Sequence, residues 1–327
     1  MITKSIKFRV SALRLNHDLA PFNSPSGGRL FPSCGGVRGG LILLAFLCLS
    51  LGAMAQNTYT IRAIGSSTTN FEVLKNSNMF KSNLLIQAAI DSIKTDANGA
   101  ACTIQFGNSS IDTLDIGTAG IQFNSTVSPA WGKITLIGSI VSQSSSSNGI
   151  IYLMGNTSME SKANIKNTYI TSNLNYPGYA IVNAGTGTVD ISGGAIIVGT
   201  GIAAHSSSTG KIIISGNAIL TSRDSQYGTI YIASSGSGLE ITGGTITSTG
   251  SRFLVGRCRA IWNASNAAIN ISGGTISADD YAVYNNSTGT VNISGGTISA
   301  TNSQSSSMTK NDIADKSMTE YNSDFFS

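Results

Sequence analysis

Charged side chains are scarce in this sequence of 327 residues: 20 Lys and Arg and 16 Asp and Glu make up 11 % of the chain. An ordinary soluble domain carries about 25 % charged residues. A disordered acidic or basic tail is excluded, because such segments are rich in charge and poor in Ile. With 5 Pro and no strict Gly period, the chain is not collagen-like.

Histidine and cysteine are also rare, with 2 His and 4 Cys in the whole chain. After residue 55 only His205, Cys102 and Cys258 remain, and no pair of them has the spacing of metal ligands. We therefore expect no metal site and no other cofactor. The two cysteines lie far apart in the sequence, so we expect two buried thiols rather than a disulfide, although one disulfide is possible in an exported protein.

The basic charge is confined to the N-terminus. Residues 1–55 contain one acidic residue, Asp18, and six basic residues: Lys4, Lys7, Arg9, Arg14, Arg29 and Arg38. The remaining 272 residues contain 14 basic and 15 acidic side chains and are close to neutral. Such a body has no electrostatic basis for nucleic-acid binding.

The N-terminus has the features of an export signal. An apolar run over residues 41–49 is followed by Ala53-Met54-Ala55, the A-x-A pattern of a cleavage site. The run is shorter than the roughly 20 apolar residues that a membrane-spanning helix needs. We predict an export signal region over residues 1–55 that carries the chain across a membrane, cleavage after Ala55 and a secreted or cell-surface location. An uncleaved anchor is the alternative.

A repeat dominates the C-terminal half of the chain. Two copies of 22 residues, 259–280 and 281–302, share the segment Ile-Ser-Gly-Gly-Thr-Ile-Ser-Ala. Aligning all copies on the first Ile of this segment gives five anchors: Ile191, Ile214, Ile241, Ile271 and Ile293. A second apolar column follows five residues after each anchor: Ile196, Ile219, Ile246, Ile276 and Ile298. Self-similarity at this period indicates a solenoid.

Each copy has the pattern of three short strands that wind directly into the next copy. Apolar and variable residues alternate around each anchor, as in a strand with one buried face. The glycines after the anchor can take positive φ and turn a corner. Stacking at about 4.8 Å per coil lines identical positions into ladders: the Ile columns and a buried column of Asn183, Asn263 and Asn285. The fold class predicted is an all-β parallel β-helix.

Fainter copies extend the array upstream. Two further sets of apolar residues have the spacing of the columns: Leu114, Ile116 and Ile121, and Ala163, Ile165 and Ile170. With these copies, we predict about eight coils of about 22–30 residues each over residues 100–302. Within the N-terminal segment 56–99, residues 82–94 have apolar residues at helical spacing, and we expect a short helix that caps the ladder. Residues 303–327 leave the repeat and form a C-terminal tail or cap.

The cap and first coil resemble a known family. The segment I-Q-A-A-I-D-S-I, a Gly turn and then C-T-I-Q-F-G are similar to the start of pectin-lyase-like right-handed parallel β-helices. The V-x-I-S-G-G-T-I-S copies resemble repeats of secreted and cell-surface, adhesin-like proteins of Bacteroidetes-type bacteria. This resemblance covers about residues 80–302 and implies an architecture. The fold itself carries lyases, hydrolases and adhesins alike.

The resemblance also implies what an enzyme of this fold would need. Enzymes of the family gather several Asp on one face with a Lys or Arg, or combine three Asp with G-H-G and R-I-K motifs, which this sequence lacks. Asp279-Asp280 is the only acidic pair of the repeat and is expected to be a solvated turn. Asp190 and Glu240 share a column two coils apart, without a cleft. Arg252, Arg257 and Arg259 are expected to form a solvated loop, with contact to an anionic ligand as the alternative. We predict no catalytic residue.

An outward stripe is the best candidate for a binding surface. His205, Trp262 and Tyr284 fall at the same position of their coils, nine residues before the anchor, together with Val182 and Ile232. Trp262 and Tyr284 on successive coils would form a flat surface on which sugars stack. The competing explanation is that exposed aromatic residues simply favour strands and pair across them.

Three functional hypotheses follow. The first is a non-catalytic, secreted or surface-exposed β-helix, adhesin-like or structural, that contacts a polysaccharide, a host or cell-surface glycan, or a protein. The second is a polysaccharide lyase or glycoside hydrolase with a degenerate site. The third is that the chain is a fragment of a longer protein, since residues 303–327 resemble no anchor or sorting domain.

Overall fold

The structure is a computed structural model that describes residues 56–109, 112–170, 178–223, 227–233, 235–250 and 258–301, and the backbone of residues 313–315. Residues 1–55, for which an export signal is predicted, most of the segment 303–327 and the loop residues Arg252 and Arg257 lie outside the described residues. The unit that contains residues 56–327, taken by itself, is a parallel β-solenoid of about seven turns. The predicted fold class is therefore confirmed, with about one turn fewer than the repeat count gave.

The described chain consists of short strands and one helix, α1 (Ile86–Ala97). The strands are, in chain order, β1 (Asn57–Ala63), β2 (Phe71–Lys75), β3 (Asn78–Leu84), β4 (Cys102–Phe106), β5 (Thr113–Asp115), β6 (Ile121–Asn124), β7 (Ile134–Ser142), β8 (Ile151–Met154), β9 (Met159–Ser161), β10 (Asn164–Asn167), β11 (Gly178–Asn183), β12 (Val189–Ile191), β13 (Ala195–Val198), β14 (Gly201–Ser206), β15 (Ile212–Ile214), β16 (Ile219–Arg223), β17 (Ile230–Ile232), β18 (Leu239–Ile241), β19 (Thr245–Thr249), β20 (Arg259–Asn263), β21 (Ile269–Ala278), β22 (Tyr281–Asn285), β23 (Val291–Ala300) and β24 (Ile313–Asp315).

The strands form two sheets. Sheet A has 16 strands in two arms, and the long strands β7, β21 and β23 run through both. Its first arm stacks β4, β7, β9, β12, β15, β18, β21 and β23, and its second arm stacks β5, β7, β10, β13, β16, β19, β21 and β23. Sheet B stacks β6, β8, β11, β14, β17, β20, β22 and β24. Each coil therefore contributes one strand to sheet B and then one to each arm of sheet A.

The interior is a set of aliphatic columns. Parallel pairing aligns the five anchors Ile191, Ile214, Ile241, Ile271 and Ile293 in the first arm. The first four are fully buried, and Ile293 is half-buried because β23 is the last described strand of sheet A. In the second arm the column contains Ile196, Ile246, Ile276 and Ile298, all buried.

Ile219 does not belong to this column. It is 46 % exposed, whereas Leu220 is fully buried and pairs with both Ile196 and Ile246. The corner Ser215-Gly216-Asn217-Ala218 is one residue longer than the Ser-Gly-Gly or Thr-Gly-Gly corner of the other copies. Five residues after the anchor Ile214 the count therefore reaches Ile219, which points outward, and the inward residue is the next one, Leu220.

The upstream coils also have a different phase from the one predicted. Ile165 pairs with Ile196 and so lies in the second arm rather than at an anchor position, and Ile170 is 80 % exposed. Ile121 pairs with Ile151 in sheet B. Without the Ser-Gly-Gly segment these copies offered only apolar spacing, which does not distinguish one arm of a coil from another.

A buried asparagine column supports the corner after sheet B. The side-chain amides of Asn183, Asn263 and Asn285 donate to the carbonyl oxygens of the residues four positions later. Asn263 also donates to Asn285 Oδ1 over 3.0 Å, which links neighbouring coils. Buried amides need such partners, because an unpaired polar group in the interior costs about 1–3 kcal/mol. The predicted Asn ladder is confirmed, with Ser206 and Ile232 filling the intermediate rungs.

The N-terminal end of the solenoid is closed by an antiparallel meander and α1. Strand β1 pairs in parallel with β4, and β2 and β3 follow in antiparallel order. The helix buries Ile86, Ile90 and Ile93 and ends at Asn98 in a left-handed conformation. It begins at Ile86, so Leu85 is exposed rather than part of the apolar face. Cys102 and Cys258 are both buried and are not joined to each other, as predicted.

Two neighbouring substitutions test the register of β16. Leu220→Ala removes a buried side chain and is expected to lower the free energy of unfolding by about 2–5 kcal/mol. Ile219→Ala, one residue away, is expected to change it by less than about 0.5 kcal/mol because the side chain is largely exposed. Denaturant unfolding of both variants measures the difference. Equal losses in the two variants would contradict this register.

Candidate functional site

The outer face of sheet B carries one column of aromatic side chains. Parallel pairing places His205 next to Tyr231, Tyr231 next to Trp262, and Trp262 next to Tyr284. The sequence alignment placed Ile232 in this column, but Ile232 points inward and Tyr231 takes the outward position. The reason is the distance between the inward residue of sheet B and the first inward residue of the next strand. Leu239 follows Ile230 by nine residues, one more than in the neighbouring coils. A count of nine residues back from the anchor Ile241 therefore reaches Ile232 instead of Tyr231.

The rings of this face pack on one another along the solenoid. His205 is stacked between Tyr179 and Tyr231, with ring centroids 5.4 and 5.0 Å apart. Tyr227 is stacked on Trp262 at 5.3 Å, and Trp262 meets Tyr284 edge to face at 5.7 Å. These separations are close to the spacing of neighbouring strands. We call this set the aromatic stripe: Tyr179, His205, Tyr227, Tyr231, Trp262, Tyr281 and Tyr284.

Arg259 completes the C-terminal part of the stripe. Its guanidinium carbon lies 4.7 Å from the ring centre of Trp262 and 4.3 Å from that of Tyr284. A cation over an aromatic face stabilises such a cluster by about 0.5–2 kcal/mol, depending on desolvation. The ring faces of Trp262 and Tyr284 thus contact neighbouring side chains. The structure differs here from the flat, open surface that the sequence suggested: the rings are half-buried and pack against one another and against Arg259.

His205 lies in an unusual electrostatic environment. Both ring nitrogens are buried, and neither has a hydrogen-bond partner among the described residues. Burial disfavours the charged imidazolium and lowers the pKa of His205 to about 4. Burial also raises the pKa of Tyr179 and Tyr231, which flank it. The three rings are therefore neutral at physiological pH.

The length of the chain connections varies at one corner of the coil, beside the aromatic stripe. We call the connections from the second arm to sheet B the variable corner; they are residues 116–120, 143–150, 168–177, 199–200, 224–229, 250–258 and 279–280. They range from two residues to ten. From β8 onward, the connections from sheet B to the first arm have only four to six residues. In solenoid proteins, insertions in the repeats lie in loops on one face, which is often the binding face.

Asp279 and Asp280 bind the two ends of the connection 250–258, Gly250 and Cys258. Asp279 accepts hydrogen bonds from the backbone N–H of Gly250 and from the hydroxyl of Thr301, and Asp280 accepts one from the backbone N–H of Cys258. Gly250 and Cys258 touch, since a Cβ on Gly250 would lie 1.5 Å from the cysteine sulfur. The acidic pair is therefore a clamp on the 250–258 connection and not the solvated turn that was expected.

The opposite outer face, on the first arm of sheet A, carries charged groups. Glu160 lies on the strand position next to Asp190 and contacts Lys162 at 2.8 Å and Lys133 at 3.3 Å. Chiefly because of the hydrogen bond from Lys162, the pKa of Glu160 is lowered to about 2. Glu240 pairs with Lys211. The sequence suggested no cluster of acidic and basic residues, because Glu160 lies in a coil whose phase was misassigned.

Neither face provides an obvious metal site. No group of three His, Cys, Asp or Glu side chains suited to a metal ion occurs among the residues that the structure describes. Within the same residues, no helix has the length and apolar character needed to cross a membrane.

Comparisons with protein-family models, with curated proteins and with solved structures gave no match to this chain. The geometry of the outer faces is therefore the basis of the functional inference.

The burial of His205 predicts a pH dependence of stability. Folding favours the neutral imidazole, so the contribution is fully present above the unfolded pKa of about 6.5 and is lost as pH falls toward 4. A shift of this size corresponds to roughly 3 kcal/mol. Replacing the histidine by an aromatic residue that does not titrate there, His205→Tyr, should remove this part of the loss. Denaturant unfolding at pH 7 and pH 4.5 measures it, and identical losses in both proteins would contradict the assignment.

Proposed function

We propose that this chain is a non-catalytic, secreted or surface-exposed β-helix protein, adhesin-like or structural, that binds through the outer face of sheet B. The observation that carries the proposal is the coincidence of two features on that face. The aromatic stripe runs along it, and the variable corner borders it. A solenoid keeps its core spacing fixed while the loops at a binding edge change, which is the pattern that supports a contact surface here.

The chemistry of the stripe suits recognition of a large, polar partner. Tyrosine, tryptophan and arginine are the residue types that most often carry binding energy at interfaces. Their rings are already ordered by mutual stacking, so little conformational entropy is lost when a partner binds. A polysaccharide or a cell-surface glycan fits this surface, since sugar hydroxyl groups can bond to the tyrosine hydroxyls and pack on the ring edges.

The state of the titratable groups supports a non-catalytic role. Asp279 and Asp280 are engaged by backbone groups, and His205 is neutral and shielded between two rings. Glu160, with a pKa of about 2, is a weak base. Export rests on the sequence of residues 1–55, which predicts a cleaved signal.

A polysaccharide lyase or glycoside hydrolase is the second candidate, and one observation favours it. Glu160 and Asp190 occupy adjacent rungs on the outer face of sheet A, with Lys133 and Lys162 beside them. Hydrolysis of a glycosidic bond uses a pair of carboxyl groups, and a Lys beside them is a general-base candidate for a lyase. In an enzyme, the reaction would take place on this face and not on the aromatic stripe.

The test incubates the protein with a panel of plant, host and bacterial polysaccharides and scores retention and chain cleavage in the same tubes. We expect retention on at least one polymer, without release of reducing or unsaturated ends. Trp262→Ala should weaken retention about tenfold or more. Asn270→Ala, on the exposed outer face of sheet A, is the control and should bind like the wild type.

Two results would contradict the proposal. Release of chain ends that is lost in Glu160→Gln would establish the enzyme instead. Retention that is equal in the wild type and in Trp262→Ala would exclude the aromatic stripe as the contact surface.

A further inference from the structure

A cavity lies at the variable corner, near the N-terminal end of the solenoid. It has a volume of about 150 Å³ and lies between the connections 116–120 and 143–150 of two neighbouring coils. The side chains that decide its chemistry are those of Thr118, Gln122, Ser144, Ser146, Asn148 and Tyr152. A cavity of about this volume admits one six-membered ring.

The cavity is polar and uncharged. Among the described residues, no Asp, Glu, Lys, Arg or His lines it. The hydroxyl oxygens of Ser144 and Ser146 accept backbone N–H bonds from Ser146 and Asn148, which leaves their protons free to donate. The side chains of Gln122 and Tyr152 make no hydrogen bond to any residue that the structure describes. Several donors and acceptors therefore converge without a charge to select an anion or a cation.

The walls of the cavity are held in place by groups behind it. The side chain of Gln87 on α1 accepts from the backbone N–H of Gln122 and donates to its carbonyl oxygen, at 2.8 and 3.1 Å. The buried amide of Asn167 donates to the carbonyl oxygen of Ser144 at 3.0 Å. Gly120 approaches Gly149 so closely that a Cβ there would lie 2.5 Å from the carbonyl oxygen. A site that is formed before binding loses little entropy when it is filled.

The cavity lies on the same face of the solenoid as the aromatic stripe. Gln122 pairs with Tyr152, Tyr152 with Val182, and Val182 with His205, so all four lie in one outward column. Five rungs separate Tyr152 from Tyr284, a length of about 24 Å at the spacing of neighbouring strands. Val182, the rung between Tyr152 and His205, is only 2 % exposed, so the cavity and the stripe are two separate regions of the same face.

We propose that this cavity is a subsite for one neutral pyranose unit of a glycan. The inference rests on the proposed function in one respect, because it takes the outer face of sheet B as the glycan-binding face. It adds the chemical class of the ligand: a neutral, polyhydroxylated sugar rather than a uronate. The hydroxyl and amide groups of Gln122, Tyr152 and Ser146, which are not buried, would exchange hydrogen bonds with the sugar hydroxyls.

The experiment titrates the purified protein with three defined probes by calorimetry: cellohexaose, mannohexaose and a hexamer of galacturonate. We expect at least one neutral hexamer to bind about tenfold more tightly than the uronate. Gln122→Ala and Tyr152→Phe should each weaken that binding about tenfold, since each removes a polar partner of the sugar. Tyr152→Phe keeps the ring, and unchanged thermal unfolding would show that the fold is intact. Asn270→Ala again serves as the control.

The outcomes separate this inference from the proposed function. If Trp262→Ala weakens binding but Gln122→Ala and Tyr152→Phe do not, the cavity proposal is wrong and the stripe remains the contact surface. If the two cavity variants weaken binding and Trp262→Ala does not, the cavity stands and the stripe is not the contact. Equal binding of uronate and neutral hexamers overturns the assignment of the ligand class. Failure of the wild type to bind any of the three hexamers overturns the cavity proposal.

Discussion

Parallel hydrogen bonding between successive coils is the constraint on which the rest of this structure depends. Because each strand pairs in register with the strand of the next coil, every strand residue is placed directly above its counterpart. Inward positions become aliphatic and asparagine columns that exclude water. Outward positions become columns as well, so a few aromatic residues at one position of the repeat are enough to build the aromatic stripe.

The same constraint determines where the molecule can vary. The corner between the arms of sheet A is tight at Gly194: a Cβ there would lie 2.2 Å from the carbonyl oxygen of Ala163, and Gly194 has a φ of 72°. The corner after sheet B is lined by buried asparagines that bond to nearby carbonyls. The variable corner is where the connections differ most in length, from two residues to ten. The candidate cavity, the clamped connection 250–258 and the border of the aromatic stripe all lie there.

The sequence predicted the parallel β-helix and the buried asparagines, because an Ile followed by a Gly-containing corner marks a point in each copy from which positions can be counted. The count went wrong where one residue was inserted: at Asn217-Ala218, which moved Leu220 inward, and before Leu239, which placed Tyr231 in the stripe. Tyr227 and Arg259 were not recognised as members of the stripe, since contacts between coils depend on loop geometry that a repeat alignment does not contain. The cavity is formed by a Ser-rich connection without periodicity, so no sequence signal pointed to it.

Distances between outward residues of the first arm test the register most directly. Thr135 and Asn292 lie six rungs apart in one column, and Asp190 and Asn292 lie four rungs apart. Spin labels on cysteines at these positions, in residues 56–327, whose two native thiols Cys102 and Cys258 are buried, should give narrow distributions at about 29 Å and about 19 Å. The two distances should differ by about two strand spacings, because Thr135 and Asp190 lie two rungs apart although 54 residues separate them in the sequence. Broad distributions, or a difference far from about 10 Å, would contradict the in-register solenoid and the faces built on it.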